Sequence, residues 1–260
     1  MTDTSSVRRR QVPAVSRAIA ILRRLGNSDT PVGVNQLARD LDLVPSTCLH
    51  ILRVLVDEGL VAVDPATKRY AIGLGILPIA RGAIQRNSFA SLIEPRLTRL
   101  SANFGGTAVA TQLLASEHML VVALSRVQQP FRLQVDLGSR FPALISATGR
   151  CHAAFNLRDL PPGQLRSHFG RLHWDHPPEY RVWINQVERA RNDGYAVDRG
   201  NYISGVTIIA VPFLDTGGGM SHSIVAIDIS ERLETIGLDS VIAEMQQIRD
   251  EVTDFLIAER

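Results

Sequence analysis

Two short amphipathic segments around a tight turn lie within residues 34–57, and this pattern constrains the fold more than any other in the chain. The first segment, from about Val34 to Leu41, has the spacing of a helix with one apolar face. Asp42 occupies the turn, and Asp tolerates the left-handed backbone conformation better than most residues other than Gly. Pro45 then opens the next helix in a first-turn position that Pro favours. Two short helices joined in this way are typical of a helix-turn-helix.

The helix that Pro45 opens separates an apolar face from a polar one. Leu49, Leu52 and Val56 recur at helical spacing, so we expect them to pack on the preceding helices. The opposite face carries small polar and basic residues, which suit contacts to DNA base edges in the major groove. The candidate DNA-contacting residues on this helix are Ser46, Thr47, His50 and Arg53.

A further helix precedes this pair and a short hairpin follows it. Ser16 is the predicted N-cap of the preceding helix. The hairpin consists of LVAVD, a Pro-Ala-Thr turn and KRYAIG, and it predicts the wing of a winged helix. The same elements also suit a dimerisation or protein-binding module, and their spacing leaves that alternative open. Further candidates for phosphate or minor-groove contacts are Lys68 and Arg69 near the hairpin tip and Arg8, Arg9 and Arg10 in the N-terminal tail.

Composition and charge narrow the class of protein. Of 260 residues, 45% are hydrophobic and 21% are charged, which is ordinary for a globular chain. No stretch reaches the roughly 20 apolar residues of a membrane span, and MTDTSSVRRR lacks an apolar secretory core, so we expect a cytoplasmic protein with no membrane partner. Cys48 and Cys151 are expected to be reduced thiols. Residues 1–75 carry ten Lys/Arg against seven Asp/Glu, whereas residues 76–260 carry eighteen against nineteen, and a basic N-terminal part is compatible with a polyanionic partner.

The rest of the chain mixes helices and strands. From Gly75 to about Gln85 the sequence is helical and mostly apolar. Further helices are predicted over Phe89–Phe104, Thr148–Asn156, Tyr180–Asp193 and Leu238–Ala258. The strand-like segments are TAVATQLLA, HMLVVALSRV, FRLQVDLG, YAVD, VTIIAVPFL and HSIVAIDIS. This order predicts an α/β domain built around an antiparallel sheet.

The segments SRAIAILRRLG, VNQLARDLDLVPSTCLHILRVLVDEGLV and RYAIGLGIL resemble the N-terminal winged helix of the IclR family of bacterial transcription regulators, and the likeness continues into the C-terminal half. The resemblance implies a regulator that binds double-stranded operator DNA as a homodimer or tetramer and responds to a small carboxylate. The family usually has Gly at the place of Asp42 and Arg at the place of His50, so the bases read by this chain cannot be copied from relatives. The implied organisation is a flexible basic tail over 1–14, a winged helix-turn-helix DNA-binding domain over 15–74, a linker helix over 75–88 and a GAF-like effector-binding domain over 89–260.

The resemblance also implies an effector pocket in the C-terminal domain. The chain enters a helix within ISATGRC, and free backbone amides at a helix start suit a carboxylate. Ile208 stands where the family frequently has Cys, and Asn201 lies where it often has Glu. The pocket is therefore expected to be less acidic and more apolar than is usual in the family, which suits an aromatic or other largely apolar acid. With Leu133 as an apolar wall and Asp198 as the pocket acid, the implied effector-binding residues are Leu133, Ala147, Thr148, Gly149, Asp198 and Ile208.

Other clusters in the sequence do not form a standard catalytic or metal centre. His168, His173 and His176 lie close together in SHFGRLHWDHPP, but their spacing matches no usual set of metal ligands. TGGGMS lacks the Lys of a P-loop and is predicted to be a hairpin turn. Cys151 and His152 are sequence neighbours, which point in different directions on a helix. We therefore expect no enzyme activity, no metal and no cofactor, and the alternative hypothesis is a metabolite-processing enzyme with an N-terminal oligomerisation module.

Overall fold

A computed structural model describes residues 12–85, 88–127 and 135–258 of the chain. The chain divides between residues 86 and 87 into two compact units, which we treat separately. The candidate residues Arg8, Arg9, Arg10 and Leu133 lie outside the described residues. Within the described ranges, no helix is both long enough and apolar enough to cross a membrane.

The N-terminal unit is a winged helix-turn-helix. Its elements are α1 (Pro13–Gly26), β1 (Val32–Gly33), α2 (Val34–Asp40), α3 (Pro45–Asp57), β2 (Val61–Val63), β3 (Arg69–Ile72) and α4 (Ile76–Gln85). The strands pair antiparallel in the order β1-β3-β2, and β1 is a strand that the sequence did not predict. Asp42 adopts a φ of 51° in the turn between α2 and α3, as its side chain type suggested.

Two local expectations in this unit need correction. Helix α1 starts at Pro13 with Val12 as its N-cap, before the predicted Ser16, because Pro is preorganised for the first helical turn. The buried face of α3 is also rotated slightly from the predicted one. Leu52 is fully buried together with Cys48 and Leu55, whereas Leu49 and Val56 are only half-buried.

The C-terminal unit places helices on both faces of a six-stranded sheet. Its helices are α5 (Ser88–Phe104), α6 (Ser146–Asn156), α7 (Pro162–Phe169), α8 (Tyr180–Asp193), α9 (Ser230–Ile236) and α10 (Leu238–Ala258). Its strands are β4 (Thr107–Leu114), β5 (His118–Leu124), β6 (Arg140–Pro142), β7 (Ala196–Arg199), β8 (Val206–Leu214) and β9 (Met220–Ile229). The order is β6-β5-β4-β9-β8-β7, and every neighbouring pair is antiparallel.

Side chains that alternate along the strands build two cores, one on each face of the sheet. Ile208 belongs to the core that includes residues of α6 and α8, whereas its neighbour Ile209 belongs to the core that includes residues of α5 and α10. The predicted fold class, a winged helix-turn-helix with a GAF-like antiparallel α/β domain, is confirmed.

Three predicted segments differ from the structure near the sheet edges. The described part of FRLQVDLG, residues 135–138, is not a strand, and the edge strand is instead β6, which pairs with β5. Helix α6 begins at Ser146 rather than Thr148, and helix α7, which includes His168, is a helix that the sequence did not predict. TGGGMS does form the turn between β8 and β9, where the Asp215 carboxylate accepts hydrogen bonds from the amides of Gly217 and Gly219.

Candidate functional site

Helix α3 presents its predicted polar face outward. Ser46, His50 and Arg53 are exposed, and Thr47 is half-buried. Val44, directly before the helix, exposes 64% of its surface and was not among the predicted candidates. An exposed methyl-bearing side chain at the start of such a helix suits contact with a thymine methyl group. In the sequence, Val44 could have been identified as a candidate because it directly precedes Pro45, which opens α3.

The two basic residues of the wing differ in their surroundings. The turn is fixed by Asp64, whose carboxylate accepts a hydrogen bond from the Thr67 hydroxyl at 2.7 Å and bonds from backbone amides of the turn. These hydrogen bonds, the one from Thr67 first, lower the pKa of Asp64. Lys68 follows with a φ of 54° and is exposed. The Arg69 guanidinium donates to the carbonyl of Pro31 at 3.0 Å, so it is tethered to its own unit while Lys68 stands at the tip.

A cavity of about 230 Å³ lies in the C-terminal unit between the sheet and the start of α6. We call it the larger cavity. Its volume is below the roughly 300–1,000 Å³ of sites for drug-sized ligands, which suits a small molecule. Most of its lining is apolar and includes two aromatic rings: Phe141, Tyr202, Ile203, Ile208, Val225 and Ile227.

Two buried polar atoms on the lining residues of the larger cavity are unsatisfied. The Nε atom of Arg140 and the hydroxyl of Ser146 have no hydrogen-bond partner among the residues that the structure describes. Another nitrogen of the Arg140 guanidinium, Nη2, donates to the Ser116 hydroxyl at 2.8 Å, which orients the group. An unsatisfied buried polar group costs roughly 1–3 kcal/mol, and more if it is charged. A cation and a hydroxyl that line one apolar cavity are therefore suited to an anionic oxygen ligand.

The start of α6 contributes backbone donors beside these side chains. Ser146 has a φ of 62°, and the first intrahelical amide bond is from Gly149 to the carbonyl of Ile145 at 2.8 Å. The amides before Gly149 precede the repeating bonds of the helix, and such amides favour anions. Thr148 lines the larger cavity, whereas Ala147 is fully buried in the adjoining core.

Gly149 has a packing role that its sequence context did not predict. A Cβ atom on this residue would lie 1.9 Å from the carbonyl oxygen of Leu144. Only Gly therefore allows α6 to approach the preceding segment so closely. The Gly149 amide is bonded within the helix and is not available to a ligand, in contrast to the prediction of free amides at this position.

Asp198 lies in a buried ion pair. One carboxylate oxygen accepts from Arg150 Nη1 at 2.8 Å, and both side chains are almost fully excluded from solvent. The other oxygen accepts from the backbone amides of Asn201 and Tyr202 at 2.9 and 3.2 Å. Asp198 is not among the residues that line the larger cavity, and its carboxylate is occupied by Arg150 and these two amides.

Arg150 joins this ion pair to the cavity. Its guanidinium also donates to the carbonyl of Ser146 at 2.9 Å and to the side chains of Gln186 and Asn201, each at 2.8 Å. Burial lowers the pKa of Arg150 and the Asp198 carboxylate opposes that effect, so the guanidinium stays charged. The pair thus holds both the strained start of α6 and the loop that carries Tyr202 in place.

The surroundings of the histidine cluster and of Cys151 indicate that these residues contribute to packing and hydrogen bonding. Among the described residues, no group of three or more His, Cys, Asp or Glu side chains is placed to hold a metal ion. His176 is hydrogen-bonded to Ser204, with Nδ1 and Oγ 3.0 Å apart. The Cys151 thiol donates to the carbonyl of Ala210, and burial raises its pKa to about 12. A thiol in that state is not an activated nucleophile.

Comparison with known families identifies the chain. The model "Bacterial transcriptional regulator IclR C-terminal" matches residues 81–253, and the model "IclR helix-turn-helix domain" matches residues 14–65. The chain belongs to the IclR family of bacterial transcriptional regulators. With its helix-turn-helix, this IclR-family chain is a DNA-binding transcriptional regulator.

Relatives and solved structures agree with this assignment. The chain is 26% identical over 246 residues to the HTH-type transcriptional repressor AllR of Salmonella typhi, covering 94% of this chain and 89% of that one. Its fold is similar to an IclR transcriptional regulator from Alicyclobacillus acidocaldarius, with a TM-score of 0.78, 22% identity and coverage of 94% and 98%. An IclR homolog from Microbacterium hydrocarbonoxydans complexed with 4-hydroxybenzoate gives a TM-score of 0.72 at 15% identity, with coverage of 94% and 99%.

Proposed function

We propose that this regulator changes its affinity for operator DNA when a small carboxylate, aromatic or otherwise largely apolar, occupies the larger cavity. The observation that carries the proposal is the pair of unsatisfied polar atoms, Arg140 Nε and Ser146 Oγ, on residues that line a mostly apolar cavity. A carboxylate accepts from both groups, and the amide or hydroxyl of Thr148 adds a third donor. Phe141 and Tyr202 offer ring faces and edges to an aromatic body.

The homolog complexed with 4-hydroxybenzoate supports this ligand class. That molecule combines one carboxylate with one aromatic ring, which matches the balance of polar and apolar groups in the larger cavity. In our proposal Ile208 contacts the ligand, while Asp198 positions the cavity wall without touching the ligand. Ala147 and Gly149 act through packing, and Leu133 stays a predicted wall residue outside the described residues.

On the DNA side, we propose that α3 enters the major groove. Ser46, Thr47, His50 and Arg53 are the proposed contacts to base edges or nearby phosphates, because their face of the helix is open. Lys68 at the wing tip is the proposed phosphate contact. Arg69 and the tail residues Arg8, Arg9 and Arg10 are proposed to add salt-dependent backbone or minor-groove contacts.

We further propose that two N-terminal units act together in a homodimer or tetramer on a roughly palindromic operator. Large apolar side chains at the N-cap of α1, on α1 and on α4 support this proposal, since they are exposed within their own unit. They are Val12, Val15, Ile19, Leu77 and Ile79. Effector control then requires that the carboxylate binds two arrangements of the oligomer with different affinity. Helix α4, within the predicted linker of residues 75–88, is the proposed path of that coupling.

The test is fluorescence anisotropy with a labelled DNA fragment from immediately upstream of the protein's own gene. The protein is titrated with and without saturating benzoate, 4-hydroxybenzoate or short-chain acids, with benzamide as an uncharged control. We expect at least one carboxylate to shift operator affinity by roughly 5- to 150-fold, while benzamide has no effect. Arg140→Met should weaken the response to that acid by roughly 10-fold or more, because a charged hydrogen bond is lost. Arg181→Met, an exposed control in the same unit, should respond like wild type.

The DNA and ligand parts of the proposal fail separately in this assay. Binding no tighter than the non-specific level, roughly 10⁻⁴–10⁻⁶ M at physiological salt, across a wider search of DNA sites would contradict the proposed operator contacts. Specific binding that no carboxylate alters at saturation would contradict the coupling. An unchanged response in Arg140→Met would remove Arg140 from the site.

A further inference from the structure

A smaller cavity of about 160 Å³ lies elsewhere in the C-terminal unit. We call it the smaller cavity. It is bounded by the turn between β4 and β5, the segment after β6, helix α6 and the end of α7. It shares no lining residue with the larger cavity. Its apolar wall includes Pro142, Leu144, Leu157 and Leu172.

A buried imidazole on this lining has one unsatisfied nitrogen, although the side chain of Asn156 forms a hydrogen bond with the ring. His152 is 5% exposed, and its Nδ1 atom has no hydrogen-bond partner within the described ranges. Burial lowers the pKa of His152 to about 4, so the ring is neutral at pH 7. A neutral imidazole offers one donor and one acceptor, and a hydroxyl group satisfies either of them.

Two opposite charges, Glu117 and Arg171, also line the smaller cavity, together with Ala143 and His168. Glu117 and Arg171 are exposed, and neither forms an ion pair with any described residue. They also do not pair with each other, although both face the same cavity. A molecule that carries both an ammonium and a carboxylate group is complementary to such separated charges.

We propose that the smaller cavity binds a small zwitterion with a hydroxyl group, of the class of hydroxyl-bearing α-amino acids. The ammonium group pairs with Glu117, the carboxylate pairs with Arg171, and the hydroxyl meets Nδ1 of His152. The short hydrocarbon chain of the ligand packs on Leu144 and Leu157. The site is separate from the proposed carboxylate site, so it is independent of the function proposed above.

The test is isothermal titration calorimetry of the full chain with L-threonine and three analogues that each lack one group. L-Valine replaces the hydroxyl by a methyl group at nearly equal size, 3-hydroxybutyrate lacks the ammonium, and 1-amino-2-propanol lacks the carboxylate. We expect L-threonine to bind and L-valine to bind roughly 5-fold or more weakly, because His152 then stays unsatisfied. The other two analogues should bind roughly 2- to 5-fold more weakly than L-threonine, since their lost charges pair near solvent.

Matched variants locate the binding. Glu117→Gln and Arg171→Gln change exposed side chains, so they should leave the fold intact and weaken L-threonine binding roughly 2- to 5-fold each. Arg181→Gln, an exposed control in the same unit, should bind L-threonine like wild type. The proposal is overturned if L-threonine does not bind at millimolar concentration, or if L-valine binds equally well. It is also overturned if Arg171→Gln binds L-threonine as tightly as Arg181→Gln does.

Discussion

Replacing Asp198 by Asn removes one charge from the buried ion pair and almost nothing else. The Arg150 guanidinium stays buried, with its Nη1 atom 2.8 Å from a neutral amide instead of a carboxylate. The new side chain also presents a weaker acceptor, or an NH2 group, to the backbone amides of Asn201 and Tyr202. We therefore expect Asp198→Asn to destabilise the C-terminal unit and to loosen the wall of the larger cavity.

The expected magnitude follows from the burial of both partners. Removing one member of a buried ion pair costs about 3–5 kcal/mol, because the other charge stays excluded from water. For a unit of this size, each kcal/mol lowers the melting temperature by roughly 2–4 °C, so the expected decrease is about 6–20 °C. Asp250→Asn is the matched control in the same unit. Asp250 lies 2.7 Å from Arg249, but its side chain is 64% exposed, so the loss should stay below about 1 kcal/mol.

The assay is urea denaturation followed by circular dichroism, with calorimetric melting of the same samples. Binding of the carboxylate is then measured at low temperature, where Asp198→Asn is still folded. We expect Asp198→Asn to bind the carboxylate more weakly even where it is folded, since the ion pair holds Ser146 and Tyr202 in place. Equal stability losses in Asp198→Asn and Asp250→Asn would refute the argument that burial makes this pair indispensable.

Three further predictions concern other parts of the chain. Gly149→Ala should destabilise by about 3 kcal/mol or more in urea denaturation, because its Cβ meets the carbonyl of Leu144; Gly163→Ala, with open space at its Cβ, should cost nothing measurable. Burial lowers the pKa of His222 from 6.5 to about 4, so the unfolded chain binds more protons between these values. His222 should then contribute about 2 kcal/mol to the loss of stability between pH 7 and pH 4.5, in addition to a similar contribution from His152, and His222→Gln should lose about 2 kcal/mol less than wild type in the same titration. Arg53→Ala should weaken operator binding by about 1–3 kcal/mol in the anisotropy assay, and an unchanged affinity would exclude a base contact.

The N-terminal unit could be predicted from local signals. Pro45 fixes the start of α3, and Asp42 adopts the left-handed turn that its residue type permits. What the local pattern missed depends on partners distant in sequence. Strand β1 is only two residues long, and it becomes a strand because Val32 lies opposite Tyr70 in the wing.

The candidate ligand site was predictable only in outline. The sequence located the start of α6 within two residues, and Ile208 does line the larger cavity. The burial of Arg140 Nε and Ser146 Oγ has no sequence signal, because it arises where β6, α6 and the sheet meet. Asp198 was assigned to the ligand, but its partner Arg150 is 48 residues away in sequence and the pairing depends on the fold.

The alternation of side chains along the strands separates the lining of the larger cavity from the packing of the opposite face of the sheet. Ile208 and Ile227 line the larger cavity on one side of the sheet, whereas Ile209 and Ala226 face the core of α5 and α10. Because successive residues of a strand point to opposite faces, a substitution at Ile208 changes the cavity without changing that second core. The Arg150–Asp198 pair meanwhile fixes the backbone at both ends of the cavity wall. If the larger cavity binds the proposed carboxylate, changes on one face of two strands would suit it to different apolar acids, while the same buried pair maintains the cavity.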